Sequence, residues 1–259
     1  MPQKNNSLGL KSDYLFLKKS EMTQLYGITL SVIFETTLRM NSAKASARIV
    51  VSNITPASRR GYNFPLTKHN EPGSRSTRQQ HMAEKDREKW DSKYLQHIGN
   101  LAPSKLLETF IDHAPPGKAL DIACGNGRNS IFLSKHGFTV DAVDISTVAT
   151  KSLREQAGIN VQCMDIDEWT IPENSYELII NIRFLDRRLF PMIVKGLKPG
   201  GLLIFESFTG GKNEQFNLRP NELLYVFEGL HVIYYEEKIL EKSDRFEKSA
   251  ALVAQKSER

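Results

Sequence analysis

"LDIACGNGRNS", Leu120 to Ser130, runs from an apolar strand end through an acid and two glycines into the start of a helix. A glycine loop in that position, after a strand and before a helix, is the ligand-holding turn of a βα unit. Gly125 and Gly127 let the backbone turn tightly and approach a ligand with no Cβ in the way. No Lys-Ser/Thr pair follows, so this is not a triphosphate loop. The third glycine of a dinucleotide fingerprint is replaced by Ser130.

Outward from the loop, strands and helices alternate. Strands are expected at 118–122, 139–143, 160–163, 176–182 and 202–206, and helices at 127–136, 147–156 and 186–197. "KPGG" at 198–201 reads as a turn into the fifth of these strands. A short helix at 220–227 and strands at 231–239 and 250–254 follow, with "EKSDRFEK" suggesting a hairpin between the last two. Upstream, "MAEKDREKWDSKYLQ" at 82–96 reads as a charged helix with Trp90 and Tyr94 four apart on one face. Residues 103–113 read as a second helix, with Pro103 near its first turn. The expected fold is α/β: a Rossmann-like open sheet of about seven mostly parallel strands, one antiparallel, with helices on both faces. Its ligand belongs at the carboxyl ends of the strands.

Three acids at those ends give the loop its chemistry. Asp144 ends the second strand, 19 residues after Gly125, where a carboxylate accepts the hydroxyls of a ribose. Asp165 follows the third strand in "CMDIDEW" and can accept from an adenine amino group, with Ile166 packing the ring. Asp121, just before the loop, would repel a pyrophosphate. A sulfonium with an α-ammonium and no phosphate suits three acids better, so the charges favour S-adenosylmethionine. Each acid also has a structural alternative: Asp121 or Asp144 can cap the turn or helix after it, and Asp165 can make an Asx-turn. The glycines between them favour the ligand reading.

No dedicated base stands out. His97, His113, His136 and His231 read as structural, and Cys124 as a small buried residue. Arg183, Arg187 and Arg188 cluster after the fourth strand and can attract an anionic acceptor; Glu206, at the end of the fifth, can orient one. Arg183 and Glu206 are the catalytic candidates.

Composition divides the chain. Residues 1–81 hold 12 Lys and Arg against 4 Asp and Glu, and residues 82–259 hold 23 against 26. The basic excess therefore lies in an N-terminal extension, 1–81, expected to be irregular or disordered. Three readings of it stay open: a targeting segment, a basic tail, or upstream sequence translated from a start set too early, with Met82 the true start. The second part, 82–259, is the expected catalytic domain. It is slightly acidic and carries no nucleic-acid footprint. Two cysteines make no disulfide framework and no metal motif is present, so a metal-free cytoplasmic protein is expected. No apolar run spans a bilayer; 25–34 is the nearest and is too short.

"LDIACGNGRNS", "VDAVDIS", "CMDIDEW" and "LKPGGLLIFESF", in this order, resemble the class I S-adenosylmethionine-dependent methyltransferases. "ACGNGRNS" with "FLDRRLFPMI" resembles the small bacterial type related to the tellurite-resistance enzymes. The resemblance covers about 89–255. It implies a seventh strand inserted antiparallel near the sixth. It also implies a cofactor site of Asp121, Ala123, Gly125, Gly127, Arg128, Asp144, Ile145, Asp165, Ile166 and Asn181, with Gly125 and Gly127 at the methionine moiety. Arg128 and Asn129 would start the helix beside the cofactor, and Trp90 and Tyr94 would close over the pocket. Amino-methylating nucleic-acid enzymes of this class carry Asn/Asp-Pro-Pro-aromatic after the fourth strand. Asn181-Ile182-Arg183-Phe184 stands here instead, without the prolines. The expected activity is methyl transfer to a small molecule such as a thiol or soft anion. The alternatives are a cofactor-binding module without turnover and an NAD(P)-dependent oxidoreductase.

Overall fold

The structure, a computed structural model, describes residues 29–33, 50–55, 77–96, 101–211, 213–240 and 248–258. His97, the hairpin loop at 241–247 and most of the N-terminal extension lie outside the described residues. In chain order the strands are β1 (Thr29–Ile33), β2 (Val50–Thr55), β3 (Lys118–Ile122), β4 (Thr139–Asp144), β5 (Ile159–Cys163), β6 (Tyr176–Ile182), β7 (Leu197–Thr209), β8 (His231–Ile239) and β9 (Lys248–Gln255). The helices are α1 (Thr77–Gln96), α2 (Lys105–Phe110), α3 (Arg128–Lys135), α4 (Thr147–Lys151), α5 (Leu189–Gly196) and α6 (Glu222–Val226), with 3₁₀ turns at Ile111–His113 and Ile166–Glu168.

Seven strands form one sheet in the order β5-β4-β3-β6-β7-β9-β8, and β9 is antiparallel to both its neighbours. The strand order reverses between β3 and β6, the switch point beside which open α/β sheets bind their ligands at the carboxyl ends of the strands. In the N-terminal extension, β1 and β2 pair antiparallel as a separate two-stranded sheet.

Each strand alternates its side chains between two apolar layers. β6, "YELIINI", is buried at six of its seven residues, as a central parallel strand requires. On one face Phe190, Phe205 and Phe227 pack with ring centroids 5.4–5.8 Å apart. On the other, Leu107 and Phe110 of α2 and Leu133 of α3 meet Leu178, Ile180, Leu202 and Ile204 of the sheet. Fully burying each such side chain stabilises the fold by about 1.5–3 kcal/mol.

Several boundaries differ from expectation. The helix expected at 147–156 is α-helical only to Lys151; Leu153 N–H and Gln156 N–H then bond three residues back, to Thr150 and Leu153. That tighter winding accompanies the burial of Leu153, whose side chain stands over Gly127. The helix expected from 186 begins at Leu189, because Asp186 Oδ1 accepts Arg188 N–H in a local turn. "KPGG" lies inside β7, beside a register irregularity opposite Tyr176 to Leu178, with Gly200 at φ 76°. α1 starts at Thr77, five residues ahead of Met82.

Candidate active site

The glycine loop follows β3 and closes on itself. Ala123, Gly125 and Gly127 all take positive φ, at 53°, 57° and 76°, and Gly127 N–H bonds Cys124 O at 3.0 Å. Cys124 N–H bonds Val143 O at 3.0 Å, which ties the loop to β4. A Cβ on Gly127 would come within 2.1–2.6 Å of three Leu153 carbons. Gly127→Ala should therefore cost about 1–3 kcal/mol, from backbone strain and overpacking together. Chemical denaturation would show this as a lower midpoint with an unchanged slope.

Asp144 is braced at both oxygens: Oδ2 accepts Gly125 N–H at 2.8 Å and Oδ1 accepts Ser146 N–H at 2.9 Å. Burial pushes its carboxyl above the ordinary value, opposed by the N–H groups of Ser146, Gly125 and Ile145. Asp121 is buried and accepts Ser130 Oγ–H at 2.6 Å. Burial raises it to about 7; the Ser130 bond opposes the rise and the Asp144 charge adds to it. Asp165 Oδ1 accepts Asp167 N–H at 2.9 Å and starts the 3₁₀ turn that holds Ile166 half-buried against the core. Of the structural alternatives, the Asp165 Asx-turn is present, whereas the N-cap after β4 is Ser146 rather than Asp144, and Asp121 bonds the Ser130 side chain; none of this disperses the group. Asp121, Asp144 and Asp165 all stand within two residues of the ends of the neighbouring strands β3, β4 and β5.

Ile145 O accepts Arg87 Nε–H at 3.3 Å. Asn181 is buried and its Nδ2 donates to Phe184 O at 2.7 Å, which shapes the turn leaving β6. Arg183 in that turn has φ 63°, unusual for a side-chain-bearing residue, and its N–H bonds Glu206 O at 2.7 Å. Glu206 Oε2 accepts Ser104 Oγ–H at 3.4 Å, and Asn129 Oδ1 accepts Ser104 N–H at 2.9 Å. Arg128 Nη1 donates to Ala102 O at 3.1 Å. Burial and then the charge of Arg183 press the Arg128 guanidinium below its ordinary value, while Glu206 and Asp121 oppose them. Arg128, Arg183 and Glu206 thus share one electrostatic neighbourhood beside the loop.

The expected arginine cluster divides. Arg187 is bidentate to Glu222, Nε–Oε1 2.6 Å and Nη2–Oε2 2.8 Å, and also donates to the carbonyls of Glu214 and Asn217. Arg188 pairs with Asp186 and Asp167. Both are consumed by the fold, because buried or clustered carboxylates lie within reach and satisfy the guanidinium fork. Arg183 alone of the three is exposed with no side-chain partner among the described residues. Cys124 is buried, and desolvation with the charges of Asp121 and Asp144 pushes its thiol well up, in keeping with the small buried residue expected from the sequence.

Residues 85–248 match the family model described as "Tellurite resistance protein TehB". The chain belongs to the TehB family. This match agrees with the S-adenosylmethionine-dependent methyltransferase resemblance carried by the sequence. The probable S-adenosyl-L-methionine-dependent methyltransferase TehB of Haemophilus influenzae is 35% identical over 91 residues, which is 32% of this chain and 32% of that protein. Hemagglutinin 1 of Eikenella corrodens is 27% identical over 170 residues, 59% of this chain and 56% of its own length. The chain thus spans from a third to just over half the length of these two curated relatives. The crystal structure of TehB from H. influenzae superposes with TM-score 0.53 at 22% identity, over 65% of this chain and 67% of that one; it shares the fold.

Within this TehB-family chain, sequence reading missed Asp91. Its Oδ1 accepts Ser146 Oγ–H at 2.5 Å and Val148 N–H at 3.1 Å, and its Oδ2 accepts Thr147 Oγ1–H at 2.8 Å. The available signal was the spacing Arg87, Asp91, Tyr94, which is i, i+4, i+7 on one helix face. No helix among the described residues is long and apolar enough to cross a membrane, and no group of three or more potential metal ligands occurs among them.

Proposed function

We propose that this chain transfers a methyl group from S-adenosylmethionine to a small anionic acceptor, a thiolate or an oxyanion of a soft element. The observation that carries this reading is the conjunction of a phosphate-averse acid, Asp121, with Asp144 and Asp165 at consecutive strand ends around a glycine cradle. The residues suit the cofactor: Asp144 would accept the ribose hydroxyls, Asp165 and Ile166 would flank the adenine, and the turn at Gly125 and Gly127, now covered by Tyr94 and Leu153, would receive the methionine part once Tyr94 gives way. S-adenosylmethionine supplies an activated methyl on a sulfonium. The protein's task is then to align the acceptor and exclude water. Arg183 and Arg128 draw an anion to the crevice, and Glu206 with Ser104 orients it. A thiolate or soft oxyanion needs no general base, in keeping with a sequence in which no dedicated base stands out.

Asp121 supplies a pH signature. Its folded pKa of about 7 exceeds the ordinary 3.8, so the ligand-free fold is favoured by protonation and loses stability as pH rises from about 4 to about 7. A cationic cofactor favours the ionised form. Binding should therefore strengthen by up to about tenfold from pH 6 to pH 8 and release protons below pH 7. Titrations in two buffers of different ionisation enthalpy check both points; a pH-independent affinity would remove Asp121 from the site.

The reading as a whole is tested by calorimetric titration of S-adenosylhomocysteine and NADH, followed by turnover over thiols, selenite and tellurite. Binding of NADH alone, or of neither ligand, would overturn it.

A further inference from the structure

α1 is charged along its whole described length, yet it lies on the catalytic unit. From Ala83 onward only Ala83, Arg87, Asp91 and Tyr94 are half-buried; every other described side chain of the helix is exposed. That is a single stripe facing the glycine loop and the start of α4, and among the described side chains it adds nothing to either apolar layer. The contacts that seat it are polar. Arg87 Nε–H reaches Ile145 O at 3.3 Å, and Asp91 takes three hydrogen bonds from Ser146, Thr147 and Val148. Tyr94 lies against the glycine loop: a Cβ built on Gly125 would fall 2.3 Å from its hydroxyl oxygen.

Asp91 joins a continuous chain of hydrogen bonds. Gly125 N–H bonds Asp144 Oδ2, Asp144 Oδ1 takes Ser146 N–H, and Ser146 Oγ–H bonds Asp91 Oδ1. Ser146 Oγ in turn accepts Ala149 N–H at 3.1 Å, so Asp91 and Ser146 cap α4 jointly. A helix held by a few hydrogen bonds and almost no apolar burial opens at small cost. Opening it carries Tyr94 away from the loop and loosens Ser146 beneath Asp144.

The geometry points to Asp91 as a positioning residue for cofactor binding, a latch that holds α1 over the glycine loop and braces Asp144 through Ser146. This rests on the cofactor site proposed above. Asp91 acts through Tyr94 and Asp144, and its loss should raise KM for S-adenosylmethionine while kcat at saturation changes little.

The test uses the full chain as wild type, Asp91→Ala, Asp91→Asn and the exposed-face control Glu88→Ala. Calorimetry with S-adenosylhomocysteine is paired with hydrogen exchange over 83–96. Asp91→Ala should weaken binding by about tenfold, as expected for a lost cap plus a loosened neighbour, and should abolish the slowing of exchange that ligand produces in wild type. Asp91→Asn should recover most of the affinity, since its amide oxygen still accepts from Ser146 and Val148. Glu88→Ala should match wild type in both. Wild-type binding with an unchanged affinity in Asp91→Ala sinks the latch alone, as does α1 exchange that ignores ligand. A wild type that binds no S-adenosylhomocysteine sinks the cofactor reading and the latch with it.

Discussion

Arg187→Ala is expected to lower the unfolding free energy by about 3–5 kcal/mol, because it strands a buried carboxylate. The Glu222 side chain is 0% exposed and its two oxygens take the Arg187 fork and Arg219 N–H. Arg187 also satisfies the carbonyls of Glu214 and Asn217, so the loop that leads into α6 depends on it. Denaturant titration measures the loss. The double variant Arg187→Met with Glu222→Leu should recover most of it, since it removes the charge that was left unpaired. Arg183→Ala gives the contrast. Its side chain is exposed, so stability should stay within about 0.5 kcal/mol of wild type, while kcat/KM falls for an anionic acceptor. Were Arg187→Ala as stable as wild type, the ion pair would not hold that loop.

Asp144→Ala should weaken S-adenosylhomocysteine binding by roughly a hundredfold, the worth of two hydrogen bonds from ribose hydroxyls to a charged acceptor. The same carboxylate braces Gly125 N–H and Ser146 N–H, so part of the loss comes through the loop. Asp144→Asn separates the two contributions. It keeps an oxygen for one backbone N–H and places an amide against the other. If Asp144→Ala bound as tightly as wild type, the ribose would have to lie elsewhere.

The glycine loop and the strand pattern were legible because both follow from local rules. β6 spans Tyr176–Ile182, the expected 176–182, since an unbroken apolar run flanked by polar turns has one reading as a buried strand. The three acids were legible for the same reason: each lies within two residues of the end of its strand. What sequence left hidden depends on partners far along the chain. Arg187 looked available because Glu222, 35 residues on, is not its neighbour in sequence. Asp91 looked like one more surface acid until β4 and α4 were placed beneath it, 55 residues away. Local pattern fixes the strand ends where chemistry can occur. Long-range pairing decides which charges remain to do it.

The insertion of β9 between β7 and β8 also shapes how the chain is made. Synthesis proceeds from the N-terminus, so β7 emerges with its outer edge bare and β8 emerges with no place in the sheet. β7 is paired on its β6 side only, and β8 on neither, until β9 has emerged and bonds both at once. For that interval Leu197–Thr209, a long apolar strand, is open to pairing with another nascent copy. Slow translation through 210–255 would prolong the exposure, so the yield of native protein should depend on codon choice in that stretch more than in any earlier one.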